Sequence, residues 1–164
     1  MNKFKVYLLL QGLVFLIPLN VYMWGDWLIL NAQWVLFRFQ QSEYGDSLIL
    51  GYKDPAYIAA GLTTGIFNIA AALFWTAGTF FLMAAFAVTV YALIHDEGGF
   101  IRTASCLLFA GGVLFLLSAL CRFNGGFAIP VGVPVIFLLG WFMFREKFNL
   151  PDEEGPGAAA LSGQ

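Results

Sequence analysis

The sequence predicts an all-α integral membrane protein: a four-transmembrane-helix bundle with an interfacial amphipathic segment in a long first outer loop. Of its 164 residues, 60% are hydrophobic and 11% are charged, whereas a soluble domain is about half apolar and about a quarter charged. Several apolar runs approach or exceed the roughly 20 residues that a helix needs to cross a bilayer. We therefore expect a single membrane domain over residues 1–150, in the cytoplasmic or an equivalent membrane.

The first predicted span covers about residues 6–23. Lys3 and Lys5 precede its apolar run, a pattern that is also typical of a secretory signal. The run continues through Pro18 and Tyr22 without an A-x-A-like cleavage site, which favours an uncleaved helix.

The second predicted span lies in the apolar tract 55–94, which is long enough for two helices. A hairpin would need a turn, and residues 76–79 offer only a weak one. One long helix over about 63–94 is favoured, with its length absorbed by tilt. The hairpin remains open at this point.

The last two predicted spans cover about residues 101–121 and 127–144. Residues 151–164 combine acidic residues, Pro, Gly and Ala, and we expect them to be disordered. Four spans place both termini on one side. Five Lys and Arg residues then share that side against three on the other, which indicates cytoplasmic N and C termini by the positive-inside rule. The loop of about 24–62 would lie outside.

The segment "WGDWLILNAQWVLFRF", residues 24–39, is too short and too polar for a further span. Drawn as a helix, it has an apolar side and a more polar side that also carries Trp, which predicts a helix lying at the outer interface. Its candidate partner or lipid surface is Trp24, Trp27, Trp34 and Arg38. The long outer loop with Trp24-Gly-Asp-Trp27 resembles the claudins, four-span proteins with a large first extracellular loop. The loop lacks a Cys pair, so the resemblance implies nothing about function.

Small residues indicate where helices approach closely, because membrane helices associate through close packing. The candidates are Gly61 and Gly65 in the second tract and Ala104, Gly111 and Ser118, spaced by seven, in the third span. These stripes favour packing within the chain. Dimerisation or docking onto a larger complex is the alternative.

Polar residues near the spans give a second set of candidates: Asn68, Arg122, Asn124, Pro130 and Pro134. An intramembrane amide such as Asn68 usually makes an interhelical hydrogen bond. The two prolines predict either a bent helix start or a broken helix that lines a polar cavity, with Arg122 as an anion contact.

The sequence predicts no cofactor and no metal site. The chain has one His, and Cys106 and Cys121 lie about 22 Å apart on one predicted helix. The segment His95-Asp96-Glu97 could hold an acid/base pair, but it is more typical of a helix end. A net charge of −2 argues against general nucleic-acid binding.

The favoured function is non-catalytic: a subunit, assembly factor or interaction protein of a membrane complex, in contact with the lipid bilayer and with a membrane-protein partner or a second copy. The first alternative is a small oligomeric transporter or channel. The second is a membrane enzyme that acts on lipid.

Overall fold

The computed structural model describes residues 3–24, 29–43, 45–123 and 126–145. This part of the chain contains five helices and five strands. The helices are α1 (Lys3–Val14), α2 (Lys53–Ala59), α3 (Ile66–His95), α4 (Gly99–Arg122) and α5 (Val133–Arg145). The strands are β1 (Asn20–Trp24), β2 (Ile29–Gln33), β3 (Phe37–Ser42), β4 (Gly45–Leu50) and β5 (Gly126–Ile129).

Helices α3 and α4 are the two described helices that are long and apolar enough to cross a membrane, with 30 and 24 residues. Helix α3 follows Gly65, whose φ is +83°, and it is capped by Asp96 with a left-handed φ of +54°, a common way to end a helix. It runs without interruption between these two residues, so the hairpin within 55–94 does not form.

The predicted all-α four-helix membrane bundle is wrong, because the structure combines the helices with a five-stranded antiparallel sheet. Helices α1 and α5 have 12 and 13 residues. At 1.5 Å per residue they reach about 18–20 Å, short of the ~30 Å hydrocarbon core. The apolar runs that resembled spans at 6–23 and 127–144 each divide between a helix and a strand.

The helices share one core, in which α3 packs against α4, α4 against α5, and α1 against α3 and α5. Close approach of α3 and α4 depends on two glycines. A Cβ on Gly111 would lie 3.3 Å from the Gly78 carbonyl oxygen, and a Cβ on Gly78 would lie 3.0 Å from the Phe115 ring. Ala104 and Ser118 are fully buried on the same helix.

The sheet has the order β4-β3-β2-β1-β5 with antiparallel neighbours throughout. Pro18 ends the first apolar run as a helix, since it lacks an N–H and disfavours helical geometry in the residue before it. The β-branched and aromatic residues that follow suit a strand. Pairing of β1 with β5 brings the end of the predicted first span beside the start of the predicted fourth.

The predicted interfacial helix over 24–39 is also wrong, because residues 29–33 and 37–42 are strands β2 and β3. Asn31 and Gln33 alternate with Leu30 and Ala32, which is the period of a strand and not of a helix. Hydrogen bonds between neighbouring strands determine the conformation of this segment. These bonds do not enter when the segment is considered as an isolated helix.

A polar cavity between the sheet and the helices

One face of the sheet is polar and buried. Residues directly opposite each other on neighbouring strands share a face, and the register aligns two polar rows across β1, β2 and β3. One row is Tyr22, Asn31 and Gln40, and the other is Asn20, Gln33 and Arg38. Three of these six residues, Asn20, Asn31 and Gln33, are at most 3% exposed. Burying polar groups is costly unless they find partners, so this face needs polar groups on the elements that cover it.

Arg122, the last residue of α4, is one such group. It is 6% exposed, and its guanidinium donates a hydrogen bond of 3.2 Å to Oε1 of Gln33. The guanidinium carbon lies 4.1 Å from the centre of the Tyr22 ring, within the range of a cation–π contact. Arg122 therefore joins the end of α4 to both polar rows, yet no described carboxylate pairs with it.

A second guanidinium lies close by, on β3. Arg38 forms an ion pair of 2.9 Å with Asp54, a residue of α2 that is 4% exposed. Burial raises the pKa of the Asp54 carboxyl above its ordinary value of 3.8, and the positive charges of Arg38 and Arg122 only partly oppose that effect. This ion pair links the short helix α2 to strand β3 of the sheet.

These groups surround a cavity of about 260 Å³, which we name the junction cavity. It is lined by β1, β2, β3, α2, residues 62–64, the first turns of α3 and the end of α4. The lining side chains are Tyr22, Ile29, Asn31, Arg38, Gln40, Asp54, Leu62, Thr63, Thr64, Asn68, Ala72 and Arg122. Two guanidiniums against one carboxylate leave a net charge of +1, and hydroxyls and amides add further hydrogen-bonding groups.

The polar cluster is not fully satisfied by the protein. Nε of Arg38, Nε of Arg122 and both side-chain polar atoms of Asn20 are buried without a hydrogen-bond partner among the described residues. Each such group costs about 1–3 kcal/mol. Unsatisfied buried donors are uncommon in folded proteins and call for a specific explanation. Two of them belong to cavity-lining guanidiniums and two to Asn20 in the adjoining polar row, and a fifth such atom, Oε1 of Gln11, lies in the helical core.

Three residues that the sequence singled out for separate reasons line the junction cavity together: Asn68, Arg122 and Arg38. Within the part of the chain that the structure describes, Asn68 makes no side-chain hydrogen bond to another helix. Its amide donates a hydrogen bond of 2.9 Å to the Thr64 carbonyl, at the start of its own helix. Asn124 and Trp27 lie outside the described residues.

The remaining candidates have structural positions. Trp34 stacks on Phe37 and donates a hydrogen bond of 3.1 Å to the Leu16 carbonyl, and the backbone of Trp24 belongs to β1. Pro130 follows β5, and Pro134 lies in the first turn of α5, where its missing N–H costs little. Gly61 and Gly65 have positive φ and turn the chain between α2 and α3.

Sequence reasoning missed Tyr22, Asn31, Gln40 and Asp54 as cavity residues. The sequence places Tyr22 in a predicted span, Asn31 and Gln40 on the polar side of a predicted helix, and Asp54 in the predicted outer loop. The signal that could have identified Tyr22, Asn31 and Gln40 is the alternation of polar and apolar residues at 20–22, 30–33 and 37–40, which predicts strands with one polar face. It does not extend to Asp54, which lies in α2.

In the described residues, no cluster of three or more His, Cys, Asp or Glu could hold a metal ion. Cys106 and Cys121 are free thiols. The chain matches no family model, no curated protein and no solved structure. The junction cavity is thus the feature of this fold from which a function can be argued.

Proposed function

We propose that this protein is an integral membrane protein, anchored by α3 and α4, that binds an anionic group in the junction cavity without transforming it. The membrane part rests on exposed apolar surface. In the most apolar stretches of α3 and α4, 28% and 44% of the residues are buried, whereas the core helix of a soluble protein is mostly buried. Phe80 and Ile94 are more than 70% exposed, and in water such surface would be unfavourable.

The binding part rests on one observation: Arg122 is buried beside a cavity with no carboxylate partner among the described residues. A buried charge is costly unless it is paired. Gln33 and the Tyr22 ring offer only partial compensation, because neither carries a negative charge. A carboxylate, sulfate or phosphate group would supply the missing charge, and the planar guanidinium can bind such a group through two hydrogen bonds.

We further propose that the sheet lies on the outer side of the membrane. The opposite end of the helices carries Lys3, Lys5, Arg102 and Arg145, against Arg38, Lys53 and Arg122 near the sheet. A surplus of Lys and Arg favours the cytoplasmic side. Cysteine labelling in intact cells tests this, in a chain whose free Cys106 and Cys121 are replaced by Ser. Ser47→Cys should react with a membrane-impermeant reagent, and Glu97→Cys should not.

Titration of the detergent-solubilised full chain with sulfate tests the binding part. We expect saturable binding that weakens about tenfold or more in Arg122→Gln, since a hydrogen bond to a charged group contributes about 1.5–3 kcal/mol. Arg102→Gln is the matched control. It removes the same charge from an exposed position on the same helix, about 30 Å from Arg122. Equal binding by all three proteins would refute the proposal.

The sequence predicts a subunit or interaction protein of a membrane complex, and that role stays a prediction. The junction cavity gives it a candidate binding site for a partner. An acidic group of a partner protein could bind in the junction cavity in place of a small anion. Native mass measurement after extraction in mild detergent tests that role, because a stable partner would add its mass to that of the 18.1 kDa chain.

A further inference from the structure

The junction cavity has one wall built from the start of a membrane-crossing segment. Thr63 and Thr64 precede α3, and Asn68 and Ala72 belong to its first two turns. If α3 crosses the bilayer, as proposed above, this wall lies where the chain enters the membrane. That depth is occupied by lipid headgroups, so the inference rests on the proposed function and specifies its ligand.

The surroundings of this wall are apolar and exposed. Leu62 lines the cavity and is 71% exposed, while Ile66 and Phe67 in the first turn of α3 are 77% and 49% exposed. These side chains would contact acyl chains next to the cavity. A charged cavity therefore borders directly on a surface suited to hydrocarbon, and a ligand with a charged head and an apolar tail matches both.

The volume and the net charge of the cavity further restrict the class of ligand that it can bind. The cavity volume of about 260 Å³ falls below the roughly 300–1,000 Å³ typical of sites that enclose a whole small molecule. It is suited to a headgroup whose chains remain outside. The net charge of +1 from Arg38, Arg122 and Asp54 complements a headgroup with one net negative charge better than a zwitterionic one.

We propose that the junction cavity binds the headgroup of an anionic phospholipid from the surrounding leaflet, with the Arg122 guanidinium contacting the phosphate and the acyl chains lying against Leu62, Ile66 and Phe67. Arg38 stays paired with Asp54, so the net positive charge of the cavity lies on Arg122. The hydroxyls of Thr63 and Thr64 are hydrogen-bonding groups for the polar part of the headgroup.

Lipid retention by the full chain tests this inference. The protein is reconstituted in nanodiscs of phosphatidylcholine containing a minor fraction of phosphatidylglycerol, re-extracted in mild detergent and measured by native mass spectrometry. We expect phosphatidylglycerol to be retained about tenfold above its share of the nanodisc lipid. Arg122→Gln should abolish this enrichment, and Arg102→Gln should keep it.

Two further measurements distinguish failure of the lipid inference from failure of the proposed anion site and from misfolding of a variant. Arg122→Lys retains the charge but loses the planar fork, so it should keep part of the enrichment even if Arg122→Gln folds poorly. Sulfate binding that depends on Arg122, without any enrichment of phosphatidylglycerol, would overturn the lipid inference and leave the proposed anion site intact. Absence of both would overturn the proposed function itself.

Discussion

In the helical core, formed by the buried side chains of α1, α3, α4 and α5, the polar groups are uncharged, and one polar atom, Oε1 of Gln11, lacks a hydrogen-bond partner among the described residues. Ser105 donates a hydrogen bond of 2.7 Å to the Gly140 carbonyl, and Ser118 donates one of 2.7 Å to the Ala71 carbonyl. At the junction cavity, the polar groups include the buried guanidinium of Arg122, the half-buried guanidinium of Arg38 and a buried carboxylate, and Nε of each guanidinium lacks a partner among the described residues. Hydroxyls bonded to a neighbouring helix need no ligand, whereas an unpaired guanidinium at a cavity indicates one.

The largest expected effect on stability comes from the core. Trp75 is 1% exposed and packs on the Phe115 ring with centres 4.7 Å apart. Trp75→Ala should lower the free energy of unfolding by about 3 kcal/mol, because it leaves a large cavity, while sulfate affinity stays unchanged. Phe80→Ala, on the exposed side of the same helix, is the control. Thermal unfolding in detergent and sulfate titration measure the two quantities, and a loss of affinity in Trp75→Ala would mean that the two regions are not independent.

A smaller effect is expected where the sheet joins the helices. A Cβ on Gly132 would lie 2.7 Å from Cδ2 of Leu19 and 2.8 Å from the Pro18 carbonyl oxygen. Gly132→Ala should therefore destabilise the fold by about 1–3 kcal/mol, since backbone has to move. Gly12→Ala provides the contrast, because nothing lies within 4 Å of its Cβ position in α1. It should be neutral or slightly stabilising, and equal destabilisation by both substitutions would contradict the described join.

The charged region should also respond to pH. Burial raises the pKa of Asp54 above 3.8, so the folded chain binds a proton more readily than the unfolded chain. The stability that Asp54 contributes is therefore present below pH 3.8 and is lost as the pH rises through the pKa that Asp54 has in the folded chain. Protonation of Asp54 removes the carboxylate that pairs with Arg38 and the one acidic charge among the cavity-lining side chains. Tyr22 is the other lining side chain with an ionisable acidic group. Sulfate affinity should rise several-fold on acidification through this pKa, and an affinity independent of pH would exclude Asp54 as the counter-charge.

The smallest effect concerns a single hydrogen bond between helices. Ser118→Ala removes the donor to the Ala71 carbonyl and should lower stability by about 0.6 kcal/mol, a typical value for such bonds in membrane proteins. Thr103→Ala, at an exposed position of the same helix, should change nothing. A loss of several kcal/mol in Ser118→Ala would show that the core depends on polar contacts far more than its uncharged character implies.

The sequence predicts the two regions to very different degrees. Apolar length alone locates α3 and α4 to within a few residues, because a long helix satisfies its own backbone wherever it lies. The sheet depends on pairing between residues distant in the chain, such as Tyr22 with Ala128, which no local pattern contains. Arg122 and Asn68 stand out in the sequence as rare polar residues near apolar runs. That both lie close to Arg38 in space can be seen only in the folded structure.

The central claim is that the junction cavity binds an anion through its net positive charge. It is tested most directly by the sulfate affinities of Arg122→Gln and Asp54→Asn measured beside the unaltered chain. Arg122→Gln should weaken binding about tenfold, and Asp54→Asn, which raises the net charge of the cavity from +1 to +2, should strengthen it by a similar factor. Structural damage alone would weaken binding in both. Changes in the same direction, or no change in either, would contradict the account.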